Sequence, residues 1–475
     1  MLPTAPHSIR RQYLEVELAG SEADALALQR ALPALSARAL APAIALALDR
    51  CAPAAGWLHI ERLDIDAGSI AWSRLEQDLP AALQRALEDA LTAQMPSGAA
   101  AAPVAEPGWR RSSAGQSLGE ALAYFLVNGS LPSSSHLAPG MSFAQTLLAG
   151  WEEAAPDDAR SAAAGAATLI RALAGATART RLTAQFPPQL LQVLLARLTG
   201  HSVAAIAAIV PAFGADPAVA AAAARRRELL WWQALFARVA EGGAALVPQA
   251  LAHAASEQLV RLGMAAAPAG YQRNGRAGRA PAESPPRPAG ANSADIDAVP
   301  DSAASAPHPD ADQGIFINNA GLVLLHPFLT RLFDVLALSE GGRLLLPDRA
   351  LHLLHYLGTG RTGAPEYELV LPKVLSNVPL TQAVAPDIVL DDAECAEAQA
   401  LLEAVIGHWS VLRNTGADGL RAAFLLRPGK LSRRNGDWLL QVEPDTADIL
   451  LGQLPWGFSP VKLAWMDQLM WVEWG

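Results

Sequence analysis

Residues 268–313 hold eight prolines and only three larger apolar side chains, Tyr271, Ile296 and Val299. Such a stretch cannot bury enough surface to offset the entropy of ordering it, so it reads as disordered. As a flexible chain it would span about 35–40 Å root-mean-square. A segment of this kind forbids one continuous core through the molecule. It divides the 475 residues into parts that must each bury their own apolar faces, and the length allows two or three domains.

Composition divides the chain further. Residues 1–98 read as a small α+β domain. "IRRQYLEVEL" alternates in part and predicts a strand, and Ser21, Glu22 and Asp24 supply an acidic, capping helix start. Leu28, Leu32 and Leu35 follow at helical spacing, with Pro33 and Pro42 implying a break or kink. "WLHIERLDID" predicts a second strand whose apolar residues change phase, as at a bulge. "AWSRLEQDLPAALQRALEDALTAQ" predicts a helix or helix pair. Residues 99–114 are an Ala/Pro/Ser linker, and 115–265 are Ala, Leu, Arg and Glu in short helical patterns with no clean repeat. The proline-rich linker covers 266–313.

Residues 314–475 are the best-specified part and predict a compact α+β domain. "AQALLEAVIGHWSVL" puts Ala398, Leu401, Leu402, Val405, Trp409 and Leu412 on one helical stripe. Asn435-Gly436 between two extended runs is a hairpin signal. Six of the twelve tryptophans fall here. The fold class predicted is mainly α with smaller α+β terminal domains, an elongated multi-domain chain with a disordered linker.

Bulk chemistry excludes several functions. The formal net charge is −10, which repels phosphate and argues against nucleic acid as a partner. Arg225, Arg226 and Arg227 close an alanine tract and have no interleaved aromatics. Two distant cysteines, Cys51 and Cys395, give neither a disulfide framework nor a zinc cluster, and fit a reduced, cytoplasmic protein. The first residues lack the apolar core of a secretory signal. The most membrane-like window, 203–224, is interrupted by Pro211, Asp216 and Pro217, so no stable membrane insertion is expected.

Motifs that match catalytic patterns fail on context. "GQSLG" at 115–119 fits a nucleophile elbow, but "GWRRSSA" before it is not a buried strand. A capping box of Ser117 with Glu120 explains it instead. "GTGRTG" at 358–363 fits a dinucleotide glycine pattern, but a helical run precedes it and an extended run follows, the reverse of the required order. It reads as a helix-ending turn. His352 and His355 lack a third ligand and read as a satisfied helix surface. Glu61, Asp64 and Asp66 read as a solvated acidic face. No catalytic, cofactor or metal site is predicted, and the chain is read as a non-enzyme.

The C-terminal region carries a resemblance. "INNAGLVLLHPFLTRLF", "RALHLLHYLGTG", "PEYELVLPKVL", "HWSVLRNTGADGLRAAFLLRPGKL", "DWLLQVE", "DILLGQLPWGFSPVKLAWM" and "VEW" follow in this order. Together with "HSIRRQYLEVEL…IERLDIDAGSI" and "ALAYFLVNGSLP" they resemble the tape measure proteins of extracellular contractile injection systems, phage-tail-like particles of the antifeeding-prophage type. The likeness covers both ends, about 55% of the chain. Ser133, Ser376 and Ala67 stand where the pattern has tryptophan, cysteine and leucine.

The resemblance implies a non-enzymatic assembly protein that sets the length of the inner tube and sheath. The alternative is a chaperone or cargo adaptor of the same particle that does not set length; a hydrolase using Ser117 is a third class. The implied partners are the inner tube protein, the baseplate hub and spike proteins and a tube-terminating cap, with one or several copies per particle. The implied location is the cytoplasm during assembly, then the particle lumen. Asn318, Asn319, Gly321, His326, Pro327, Phe328, Trp409, Pro455, Trp456, Trp465, Glu473 and Trp474 are the family-signature positions, structural or docking. In "NNAGLVLLHPFL" the two amides are expected to bond backbone, Gly321 to allow a close approach, Leu322–Leu325 to enter the core, and His326-Pro327 to mark a break.

Overall fold

Ser21 and Asp24 cap each other at the first helix. The Ser21 N–H donates to Asp24 Oδ2 at 3.0 Å and the Asp24 N–H to Ser21 Oγ at 3.3 Å, the reciprocal arrangement of a capping box. The Ser21 hydroxyl and amide hold the Asp24 carboxyl below its ordinary range. The computed structural model describes residues 12–51, 57–60, 62–94, 109–112, 114–132, 140–153, 159–213, 221–242, 247–262, 314–385, 388–412 and 414–474, with His7, Ile9, Ser135, Leu137, His308 and Ala311. The chain is mainly α with small α+β parts and divides into two units, 1–123 with 131–169 and 124–130 with 170–475.

In the first unit, α1 (Glu22–Leu35) and α2 (Ala41–Cys51) are joined by a π-helical turn over Ser36–Leu40. Pro42 has no N–H to continue the α-helical ladder. The chain widens instead, and the Ala41 N–H reaches Ser36 O. α3 (Leu75–Gln94) buries Leu79, Leu83, Leu87 and Leu91 against Leu40, Ile44 and Ala47. That four-residue spacing keeps one face of the helix apolar. β1 (Trp57–Ile60) pairs antiparallel with β2 (Trp109–Ser112). α4 (Ala114–Asn128), α5 (Phe143–Glu153) and α6 (Ala159–Leu173) follow.

Two strand expectations fail here. Residues 12–18 form no strand: Tyr13 is 83% exposed, and among the described residues no strand pairs with this stretch. "WLHIERLDID" is a strand only to Ile60. The phase change read as a bulge falls between Ile60 and Leu63, where Glu61 lies outside the described residues. Beyond it Asp66 Oδ1 accepts the Gly68 N–H at 2.8 Å and turns the chain, while Leu63 and Ile65 still pack on the helical core. The strand that pairs with β1 is β2, from a stretch read as linker.

The second unit contains α7 (Ala176–Gln185), α8 (Pro188–Thr199), α9 (Val203–Ala207), α10 (Ala221–Ala240) and α11 (Pro248–Arg261). Among the described residues no helix is long and apolar enough to cross a membrane. The membrane-like window is broken by the end of α9 at Ala207, and its residues 214–220 lie outside the described part. The segment read as disordered, 268–313, also lies outside it, except His308 and Ala311.

The C-terminal body starts at β3 (Ile315–Ile317) and runs through α12 (His326–Val335), the small hairpin β4 (Ser339–Glu340) and β5 (Arg343–Leu344), α13 (Pro347–Thr359), α14 (Val370–Leu375), α15 (Asp392–His408) and α16 (Ala417–Leu420) to β6 (Gly429–Arg434), β7 (Asp437–Val442) and β8 (Met470–Trp474). Its four-stranded sheet has the order β3-β6-β7-β8. All its pairs are antiparallel except β7 with β8, which is parallel. The turn between β6 and β7 uses Asn435 at φ 55° and Gly436 at φ 89°, the two left-handed positions of the expected hairpin turn. The residues of the predicted stripe are all buried, but only Ala398, Leu401, Leu402 and Val405 lie on α15, which ends at His408; Trp409 caps it and Leu412 falls in a following 3-10 turn. "PEYELVLPKVL", read as extended, is helical instead: a 3-10 turn over Glu366–Glu368 leads into α14. Each of its residues from Val370 to Leu375 is buried, so the run carries no alternation to mark it as a strand or a helix.

Gly321 lies in a 3-10 segment, Ala320–Leu325, whose six residues are all buried. A Cβ there would sit 1.7 Å from Phe424 O. Gly321→Ala is expected to lower unfolding free energy by about 3 kcal/mol or more, the upper range for overpacking a core, and equilibrium denaturation monitored by tryptophan fluorescence would measure it.

Candidate functional site

The family-signature positions take distinct places. Asn318 is exposed and Asn319 buried; Asn319 Nδ2 donates to Glu368 O at 3.0 Å. Thus one of the two amides ties the strand end to the 3-10 turn at Glu366–Glu368. Leu322, Val323, Leu324 and Leu325 are core residues. His326-Pro327 starts α12 rather than ending an element. Proline at the first turn needs no N–H partner, and the His326 Nδ1–H donates to Val323 O at 2.9 Å. Phe328 meets Trp456 edge-on at 5.1 Å between ring centroids.

Three of the tryptophans act as pins. Trp456 Nε1 donates to Leu324 O at 3.0 Å and Trp465 Nε1 to Leu375 O at 2.8 Å. Trp465 also stacks on Phe333 at 5.2 Å. Trp474 Nε1 donates to Asp448 Oδ1 at 3.1 Å, and the Arg427 guanidinium lies over its ring. Desolvation pushes the Asp448 carboxyl up, but the hydrogen bonds of Arg427, the Asp445 amide and Trp474 outweigh it and leave the group more acidic than usual. Trp409 is fully buried against Phe424 at 4.6 Å. Pro455 and Glu473 are exposed, and Glu473 bonds Arg434 at 2.8 Å and Gln441 at 2.9 Å across the sheet. Signature residues thus fix the sheet to the helices at several separate points and converge on no single cleft.

The charged centre lies elsewhere, on residues that sequence reasoning did not single out. Arg181, Glu366 and Lys373 have side chains exposed by 0%, 0% and 1%. Arg181 Nε donates to Glu366 Oε1 at 2.9 Å, and Lys373 Nζ donates to the same oxygen at 2.6 Å. The remaining donors meet carbonyls: Arg181 bonds Leu126 O, and Thr381 O at 2.7 Å, and Lys373 bonds Leu380 O at 2.9 Å and Gln382 O at 2.7 Å. The Glu366 N–H donates to Gln185 Oε1 at 2.8 Å. Gly129, at φ +78°, closes over the group, and a Cβ there would sit 2.7 Å from Leu380 O and 2.9 Å from Glu366 Oε1. Burial pushes the Lys373 ammonium down in pKa, against the pull of Glu366. Each of these donors is spent inside the protein, an arrangement that holds segments together. A charge inside the apolar run "LPKVL" was the one legible signal, since a buried lysine needs a buried partner.

Other motifs resolve locally. "GQSLG" falls inside α4, so Ser117 is neither at a strand-to-helix elbow nor the N-cap of a box; Glu120 accepts from Gln116 Nε2 at 3.0 Å. The preceding residues do form a strand, β2, contrary to the sequence reading. Gly360 ends α13 at φ +71°, the left-handed cap expected of "GTGRTG". His352 and His355 are buried, not on a helix surface: the His352 Nδ1–H donates to Asp348 O at 2.8 Å and His355 Nε2 bonds Glu368 Oε2 at 2.7 Å. Asp64 pairs with Arg62 at 3.0 Å. Among the described residues no three His, Cys, Asp or Glu side chains are grouped to hold a metal.

A mainly α chain pinned by indole donors and closed by a self-satisfied ion cluster has the make-up of a structural component. A family model described as contractile injection system tape measure protein matches residues 6–474, and the chain belongs to that family. It is therefore a component of a contractile injection particle. No match is found among curated proteins or solved structures.

Burial holds both His326 and His352 below the ordinary histidine pKa. In the unfolded chain they take up protons first as pH falls, so the stability present above about pH 6.5 is lost as pH drops toward their lowered folded values. Urea midpoints measured at pH 7.5 and pH 5.5 should therefore fall, and His352→Gln should reduce the difference.

Proposed function

We propose that this chain sets the length of the inner tube, and with it the sheath, of a contractile injection particle. The family match across residues 6–474 carries the reading. The domain division that goes with it is 1–98, a linker at 99–114, a helical middle at 115–265, a linker at 266–313 and a C-terminal body at 314–475. The helical middle supplies the length. As a single helix its 151 residues would span about 225 Å at 1.5 Å per residue.

In this reading the chain lies in the tube lumen and performs no catalytic step. One end engages the baseplate hub and spike proteins and the other the tube-terminating cap, with the inner tube protein around it. Asn318, Pro327, Pro455 and Glu473, exposed signature positions of the C-terminal body, are the positions assigned to contact a partner. The buried ones hold the body in shape.

Electron microscopy of particles tests this. In-frame deletions and duplications within 115–265, sparing 124–130 and 176–185, should shift particle length in proportion. The slope should be about 1.5 Å per residue for a helical ruler or about 3.3 Å for an extended one. Particles that assemble at unchanged length would make the protein an assembly chaperone or cargo adaptor instead.

A further inference from the structure

The hydrophobic core of the C-terminal body draws its buried members from Ile315 to Val472. The helical segment of the same unit, the end of α4 with α7 to α11, packs largely on itself, α10 against α7, α8 and α11. Where the two meet, Arg181 and Gln185 of α7 bond Glu366 and Arg181 bonds Thr381 O, polar contacts that stand beside one edge-on ring contact of Phe125 with Tyr367 at 6.1 Å. α7 reads "ATARTRLTAQ" and offers one large aliphatic residue, Leu182.

A polar seam gives way differently from an apolar one. Charges buried together recover their hydration when they separate, and an ion cluster of this kind is often no more stable than apolar residues of the same volume. If Arg181 leaves, Glu366 keeps Lys373 at 2.6 Å within the body, so the seam opens at the Arg181 contacts; if Glu366 loses its charge, two buried cations are left uncompensated. Arg181 and Glu366 lie 185 residues apart in sequence, so opening the seam parts two pieces of chain that each keep a core.

We infer that Arg181, Glu366 and Lys373 form a latch: closed, it holds the helical segment 124–130 and 170–262 against the C-terminal body; open, it frees that segment while the body stays folded. The latch itself does not depend on length-setting. Its use does, because a chain that measures a tube must release its helical middle, and in that respect the inference rests on the proposed function.

Hydrogen exchange read by mass spectrometry on the full-length chain tests the latch in free protein, independently of particle length. In Glu366→Gln, exchange in α7 and at the end of α4 should rise by about a hundredfold to a few thousandfold, the ratio expected when a buried pair loses one charge. Amides of β6, β7 and α15 should keep wild-type rates. A matching rise in those strands and that helix would show one cooperative fold and overturn the latch, as would no change in α7. If Glu366→Gln does not yield folded protein, Gln185→Leu leaves the charges in place and strips one hydrogen bond from the seam. It should raise exchange in the same two places about tenfold, and a uniform rise or none would again overturn the inference.

Discussion

One carboxylate oxygen, Oε1 of Glu366, accepts from both Arg181 and Lys373 with no exposed surface around it. A charge in such a place is tolerable only when every donor near it finds an acceptor. That requirement dictates its surroundings. The carbonyls of Leu126, Thr381, Leu380 and Gln382 turn inward to receive the cations. Gly129 must lack a side chain and adopt a left-handed backbone for the chain to pass. The turn at Glu366 must also present its N–H to Gln185. The polar centre thus sets the backbone course of three separate stretches.

The body beyond it uses another economy. Indoles supply large buried area with a single donor, and Trp456, Trp465 and Trp474 each place that donor on an acceptor from a distant part of the chain. A pin of this kind fixes both a distance and an orientation, which apolar packing alone does not. Such pins account for three of the six tryptophans of the C-terminal region.

Local signals were legible and remote ones were not. Asn435-Gly436 specifies its turn by backbone preference, Gly360 its helix end, Ser21 and Asp24 their cap, and the α15 stripe its buried face; each is settled within a few residues. Gly321 was legible as a close approach, but Phe424 as its neighbour was not. The strand expected at 9–18 is not formed over 12–18, because alternation says nothing about whether a partner strand exists. Ser117 and Glu120 had the spacing of a cap, but α4 begins at Ala114. The ion cluster was hidden because Arg181 sits in a stretch rich in arginine and alanine, where a surface role is the ordinary one, and its partner comes from beyond the proline-rich stretch.

β8 comes after every other element of the body and lies parallel to β7. During translation β3, β6 and β7 emerge first, and β7 then presents an open row of backbone hydrogen-bonding groups. Open strand edges are where chains pair with the wrong partner. The edge is covered only when 470–474 has left the ribosome, because Val472 must also reach Ser459 and Trp474 must reach Asp448. The helices from α4 to α11 have by then been free of the tunnel for some time. Synthesis order alone therefore lets the helical segment fold before the surface that holds it is finished, and places the closing of the C-terminal sheet at the end of the body's production.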